Sequence, residues 1–425
     1  MKLTEDDLYR RSSQYKHWCF TPSKLALLRQ KTNIQASERV KANVARQRAQ
    51  RAKNLDTTSA SDSERANTPG VENGADGASG NGGAVGDKEV DCLTVAEEMR
   101  LVDKFCETAL ELGNFIKVPA EVTATTIQYL RRFYLYNSPM TYEGQNIARA
   151  TMFIACKTEG WHIPSSDYAA KFANVTQEQV LAPEHLIIQA LRFNLEVRHP
   201  FRGLKGAHVE LGEMVKGTYV PLEWDKRTGT QIQSEILKLP KRAGGAPMNL
   251  SESDFRKRLE YDYGVASNIL KTSAQLTDTY FHYTPSQIML AAHLLADEPL
   301  TLFLLATKVP PPSPIYSKTV DTIRACAAKL SSHRSYTDSS TSLEDKEARD
   351  KKEKAEVLAI IKKLRQCRDP DKMDLVKLNE AHKRDAVHDG ELDERKAKRR
   401  RLDRENAQKE ADEFWGPELP KNGAK

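Results

Sequence analysis

The sequence predicts an all-α chain: two tandem five-helix domains, with an extra N-terminal helix before them and a C-terminal helix after them. Three observations carry that prediction. Between about 94 and 332 the apolar side chains recur three or four residues apart, and no segment alternates as a half-buried strand does. Helix-start signals recur as well: Thr94-Val95-Ala96-Glu97 and Thr284-Pro285-Ser286-Gln287 each set a hydroxyl three residues ahead of a side chain that can reach back to the cap. A break at "RHPF", 198–201, then divides five helical segments from five more.

The elements follow in order. Thr21 caps and Pro22 opens a short helix over 21–33, with Leu25 and Leu28 on its apolar face. Residues 38–53 are basic and weakly amphipathic, and from 54 to 91 a Gly/Ala/Ser/Asp tract without aromatics predicts a flexible linker. The first domain places helices at 94–112, from Pro119 (with Ile127, Leu130 and Phe133 or Tyr134 on one face), at 145–158, from a Ser165 or Ser166 cap to 173, and at 177–195. In the last of these Pro183 marks a start or a kink. The second set places helices at 201–216, 252–281, from Pro285, at 299–307 and at 314–332. Seven Gly and Pro residues between 217 and 250 predict a surface insertion there. A final helix at 344–367 carries the narrow stripe Val357, Ile360, Ile361 and Leu364. The domain boundaries read 1–36, 37–91, 92–198, 199–335 and 336–425.

Bulk properties exclude several functions. The net charge is +6, from 65 basic and 59 acidic residues, too mild for nucleic-acid binding by the whole chain. Six cysteines form no C-x-x-C pair, so no zinc site is expected, and Cys106 and Cys156 read as small core residues. The opening "MKLTEDDLYRR" lacks a signal-peptide core, and no apolar run approaches the ~18–20 residues of a membrane span. No phosphate loop, H-E-x-x-H or nucleophile elbow is present, so neither catalysis nor a cofactor is expected.

The segment "ARATMFIACKTEG", 148–160, is apolar on nearly every side and predicts a buried central rod that emerges at Lys157. A lysine there interacts favourably with the helix C-terminus, and Glu184, just after Pro183, suits a helix N-terminus. On these grounds alone both residues are accounted for as helix-end charges.

"YLRRFYLYNS", "IARATMFIACKTEG", "EHLIIQALRFNL" and "HPF" together resemble a cyclin box. The resemblance implies a kinase-binding role for Lys157, in the A-[ACS]-K-x-E position, and for Glu184, ahead of the run ending in F-[DN]-L; Ile154, Thr158 and Ile188 are candidates for the patch around them. It also implies a two-box fold with no cofactor. Further stretches resemble the cyclin H family: Ser13, Gln14, His17, Trp18 and Phe20; His199, Pro200, Phe201, Arg202 and Gly206; and Leu276 through Ile288, with its Thr284-Pro285-Ser286-Gln287 run. That family implies a non-catalytic regulatory subunit. It would pair with a cyclin-dependent kinase of the CDK-activating type and a RING-finger assembly factor, within the nuclear general transcription factor TFIIH. Two other readings compete. One is a TFIIB-like factor binding promoter DNA, which uses similar repeats but carries a zinc ribbon. The other is a Mediator-type cyclin C, against which the "HWCF" and "TPSQ" runs speak. Neither a membrane nor direct nucleic-acid contact is expected.

The basic run Lys398, Arg399, Arg400 and Arg401 is a candidate nuclear-localisation signal. Phe414 and Trp415, among acids, suggest a docking motif, and Thr21-Pro22 suggests a site for a proline-directed kinase beside its capping role.

Overall fold

A computed structural model describes residues 9–61 (side chains through 50), 90–337, 342–369, 372 and 374–379. Met1–Met373 form one compact unit and Asp374–Lys425 another. The candidate localisation signal and the Phe414–Trp415 motif lie outside the described residues, as does the linker from 62 to 89. Among the described residues there is no strand.

α1 (Ser13–Trp18) starts on Ser12, whose Oγ accepts the Tyr15 N–H at 3.3 Å. α2 then runs unbroken from Pro22 to Ser61, capped by Thr21 Oγ1 on the Lys24 N–H at 3.3 Å. This corrects the expected short helix, separate basic stretch and early linker, and it places the boundary at 36/37 inside a helix. The physical reason is plain in retrospect: neither Gly nor Pro occurs between 23 and 68, so nothing stops the helix. Ala36 and Val40, one turn apart, anchor it in the core.

In the first domain α3 (Val95–Ile116) begins with the expected capping box, Thr94 and Glu97 each taking the other's N–H. α4 (Ala120–Tyr136) and α5 (Gly144–Thr158) follow and pack on each other. α5 is buried as expected, and Gly144 lets Phe105 approach so closely that a Cβ there would lie 2.2 Å from the ring. The deepest rod, however, is α4, where every residue from Val122 to Leu135 is buried. Its Gln128, Arg131 and Arg132 read as polar, but the second domain and the N-terminal segment cover them. α6 (Ser165–Ala169) starts at Pro164 without a side-chain cap and ends earlier than 173, correcting the Ser165/Ser166 reading. The expected fifth helix is two, α7 (Gln177–Leu181) and α8 (Glu184–Ala190), divided at Pro183 because its ring cannot continue the ladder.

The second domain opens with α9 (Phe201–Lys216). The expected surface insertion contains α10 (Gly229–Ile236), started by a Thr228–Gln231 capping box. Its Ile232 and Ile236 are fully buried against Leu211, Met214, Phe255 and Leu304, so the segment is core-forming. The expected 252–281 helix breaks at Thr272 into α11 (Glu252–Lys271), α12 (Ser273–Leu276) and α13 (Thr279–His282). α14 (Pro285–Ala296) carries the predicted Thr284–Gln287 box; α15 (Glu298–Lys308) and α16 (Pro314–Ser331) complete the domain, and a turn of helix, α17 (Arg334–Thr337), follows. α18 (Leu343–Gln366) returns to the first domain, where Val357, Ile360 and Leu364 bury beside Leu93, Leu101 and Met140.

A charge network fastens the two domains and α2 together. Asp278 receives Arg29 bidentately at 2.7 and 2.9 Å, and Arg131 at 3.3 Å. Arg131 also donates to Asp103 at 3.0 Å and to the Gln275 carbonyl at 3.1 Å. Burial alone would raise the Asp278 carboxyl; the Arg29 hydrogen bonds and the Arg131 charge overcome it and hold the carboxyl well below its usual range.

Candidate functional site

α5 ends at the surface. Lys157 sits in its last turn, and Glu184 sits in the first turn of α8. The two helix ends lie side by side, so each charge offsets its own helix dipole and the two side chains also pair with each other. Lys157 Nζ lies 4.7 Å from the centre of the Phe153 ring, which steadies the ammonium. The pair is open to solvent, with side-chain exposures of 42% for Lys157 and 23% for Glu184. An exposed pair of this kind stabilises a fold by only about 0–1 kcal/mol. Holding α5 to α8 is a small return for two charges placed together at the surface.

The remaining sequence candidates divide. Thr158 is exposed beside Lys157; its hydroxyl donates to the Ala155 carbonyl at 3.1 Å and accepts from the Tyr129 hydroxyl at 3.2 Å. Ile188 is half-buried on α8. Ile154 is 1% exposed and belongs to the core, so it cannot line a surface patch. Its place along the helix explains the misplacement: every residue from Ala150 to Cys156 is buried, and α5 reaches the surface only at Lys157.

Phe193 was not singled out by the sequence reading, yet it is 66% exposed. Its N–H donates to the Ile188 carbonyl at 3.0 Å, which holds it beside the α8 face. Arg192 and Phe193 both have φ of 56°, a left-handed conformation that non-glycine residues adopt at a cost of about 1–3 kcal/mol each. The available signal was an aromatic two residues after the last buried residue of the run, Leu191. Trp161, past the Gly160 turn, adds a second aromatic at 44% exposure.

Behind this surface a hydrogen-bond relay joins the domains. Thr125 donates to Glu159 at 2.6 Å, so it takes its other bond from His199 Nε2 at 2.8 Å. His199 Nδ1 therefore accepts from the Tyr280 hydroxyl at 3.0 Å, and Gln275 in turn donates to Tyr280 at 2.8 Å. Burial, assisted by the Arg132 charge, pushes His199 down to about 3, which keeps the imidazole neutral and the relay intact at neutral pH. Among the described residues no group of His, Cys, Asp and Glu side chains is placed to hold a metal ion, and no helix is long and apolar enough to cross a membrane.

Comparison with known proteins identifies the architecture. Residues 94–196 match the cyclin N-terminal domain model, and residues 199–369 match a cyclin C-terminal domain model. Cyclin CCL1 of Saccharomyces cerevisiae is 29% identical over 309 residues, covering 73% of this chain and 63% of its own. Cyclin-H of Xenopus laevis is 30% identical over 143 residues, 32% of this chain and 43% of its own. The alignments thus span less than two thirds of those relatives. Among solved structures, a chain in the complex described as the CAK complex from Chaetomium thermophilum bound to ATP-γ-S is 31% identical, with a TM-score of 0.66, covering 92% of this chain and 99% of that one.

Proposed function

The chain belongs to the cyclin family, and from that premise we propose that it is the regulatory cyclin of a CDK-activating kinase associated with TFIIH. The observation that carries this reading is the Lys157–Glu184 pair, standing at the surface where two helix ends meet and worth little as a stabiliser. The likeness to cyclin CCL1, to cyclin-H and to a chain of the CAK complex supports the choice of kinase class.

The mechanism is a population shift. A cyclin-dependent kinase is active when its regulatory C-helix is swung in and the helix glutamate pairs with the ATP-positioning lysine. A partner that binds this state better than the swung-out one moves the equilibrium by its differential affinity. Lys157 and Glu184 set the register of that contact, while Ile188, Thr158 and Phe193 exclude water around it. The chain performs no chemistry itself. A RING-finger assembly factor and the TFIIH core are its further partners, and its place is the nucleus, where the assembled kinase phosphorylates cell-cycle kinases and the RNA polymerase II C-terminal repeats.

The test separates docking from a merely internal role. The tagged full chain is purified from its own cells as wild type, Lys157→Glu, Glu184→Lys and the double swap. The single variants should lose the kinase, affinity falling about 30-fold or more, with helical content unchanged. The double swap rebuilds the internal ion pair with the signs exchanged, and it should still fail to recover the kinase. Recovery by the double swap would reduce the pair to a structural contact. Wild type arriving with no kinase would sink the functional reading.

A further inference from the structure

The segment entering α2 has features that capping alone does not require. Five positions in the sequence are Ser or Thr followed by Pro: 21, 68, 138, 284 and 313. Only Thr21 has a basic residue three positions on, Lys24. The structure discriminates further. Ser138 is buried, 1% exposed. Thr284 and Ser313 are each half-buried. Thr21, Pro22, Ser23 and Lys24 are all exposed.

We propose that Thr21 is a phosphorylation site for a proline-directed serine/threonine kinase, with Lys24 as the basic determinant. Such kinases read the residue after the acceptor as proline because its nitrogen has no hydrogen to leave unsatisfied against the enzyme, and a subset adds a basic side chain three residues on. They also need the acceptor and the residues after it extended. The residue before a proline already favours that conformation, and Cys19, two before the acceptor, is extended at φ −103° and ψ 123°. Extending the first turn breaks the Lys24 N–H bond to Thr21 Oγ1 at 3.3 Å, the Thr21–Ser23 hydroxyl contact at 3.2 Å and the Leu25 N–H bond to the Thr21 carbonyl at 3.0 Å. Leu25 is the first buried side chain of the helix, so nothing apolar is pulled from the core before it.

The chemistry is a simple phosphoryl transfer. The Thr21 hydroxyl oxygen bonds to the γ-phosphorus of ATP, and the bond from that phosphorus to its bridging oxygen breaks. ADP leaves with the electron pair, and the hydroxyl proton passes to the kinase's base. The product suits its new place. The first turn of α2 contains no acidic residue, so the positive end of this 40-residue helix has no anionic side chain of its own there. A phosphate at the cap supplies the charge and meets the first-turn N–H groups and the Lys24 ammonium. Phe20, the preceding residue, is tied to α13 through its N–H on the Phe281 carbonyl at 2.8 Å and its carbonyl on His282 Nδ1 at 2.9 Å. Strengthening the α2 start therefore tightens the seat of the N-terminal helix on the second domain.

The experiment treats the full chain with ATP and a purified cyclin-dependent kinase that selects a basic residue three positions after its acceptor, and locates phosphate by mass spectrometry. Thr21 should carry most of it. Thr21→Asn keeps a capping side chain but has no transferable hydroxyl and should remove the signal, Thr21→Ser should retain it, and Lys24→Gln should slow incorporation at least fivefold. In the phosphorylated chain, amide exchange of Ser23 to Leu25 should slow about two- to fivefold, the factor that corresponds to a helix-end charge. Phosphate mapping to 138, 284 or 313 instead, incorporation undiminished in Thr21→Asn, or a peptide of residues 15–30 accepting phosphate while the folded chain does not, would each overturn the proposal.

Discussion

Asp262 is a carboxylic acid held in the wrong surroundings for a charge. It is 4% exposed on α11, beside Asp297. Asp297 caps α15 through the Leu300 N–H at 2.9 Å and takes the Arg258 guanidinium at 2.6 and 2.7 Å, while Asp262 Oδ2 has no partner. Burial first, and then the charge and hydrogen bond of Asp297, push Asp262 up to about 7 against the weaker pull of Arg258 and Lys241. The folded state therefore keeps a proton that the unfolded chain releases near pH 4. The stability this group contributes is full below about pH 4 and is lost as pH rises towards 7. Buried His293, pushed down to about 4, works in the opposite direction, and a comparison of variant with parent cancels it. Asp262→Asn stays neutral at every pH. In urea titrations it should gain on the parent as pH rises, by on the order of 1–3 kcal/mol at pH 8 relative to pH 4.5. An offset that does not change with pH would place the ionisation elsewhere.

At the scale of elements, α10 shows how a Gly- and Pro-rich stretch can conceal core. Ile232 and Ile236 are one turn apart on a helix of eight residues, too short to stand alone in water. It survives because both isoleucines fill the space between α9, α11 and α15. Ile232→Ala should therefore cost about 2–5 kcal/mol in chemical denaturation. A true surface insertion would lose less than about 0.5 kcal/mol. α18 makes the complementary case. Its narrow stripe was legible as one buried face, yet nothing in that stripe said that the face lies against α3 rather than against the domain just completed. Only the Glu97–Lys363 and Arg100–Glu353 pairs and the apolar contacts with Leu93 and Leu101 decide it.

Across the whole molecule, the two domains and the N-terminal helix are joined by charge rather than by apolar area alone. Arg131 is 3% exposed, and its guanidinium is neutralised by Asp103 and by an Asp278 that it shares with Arg29. Removing one partner of a buried ion network leaves a charge stranded, and the usual cost is about 3–5 kcal/mol. Asp278→Asn preserves shape and volume, so its expected effect isolates the charge. Thermal unfolding should fall by that amount, and the loss should be far smaller for Asp103→Asn, whose carboxylate is 39% exposed. Equal effects would show that the centre of the network is not Asp278.

By itself the sequence determined the fold class, the helix starts at Thr94 and Thr284 and the pair of charges at the ends of α5 and α8. Each follows from local rules: the 3.6-residue repeat, the Thr–Glu and Thr–Gln boxes, and the sign of a helix end. What the tertiary structure decided is which surfaces meet. It made α4 rather than α5 the deepest rod, because Arg131 and Arg132 find their partners on α12, α13, the inter-domain linker and Trp18. It drew Ile154 inward, left Phe193 outside on strained backbone, and brought Lys157 to Glu184 across 27 residues of chain. The physical reason is that the cost of burying a charge, or of exposing a ring, is set by groups distant in sequence, and no local pattern records where those groups arrive.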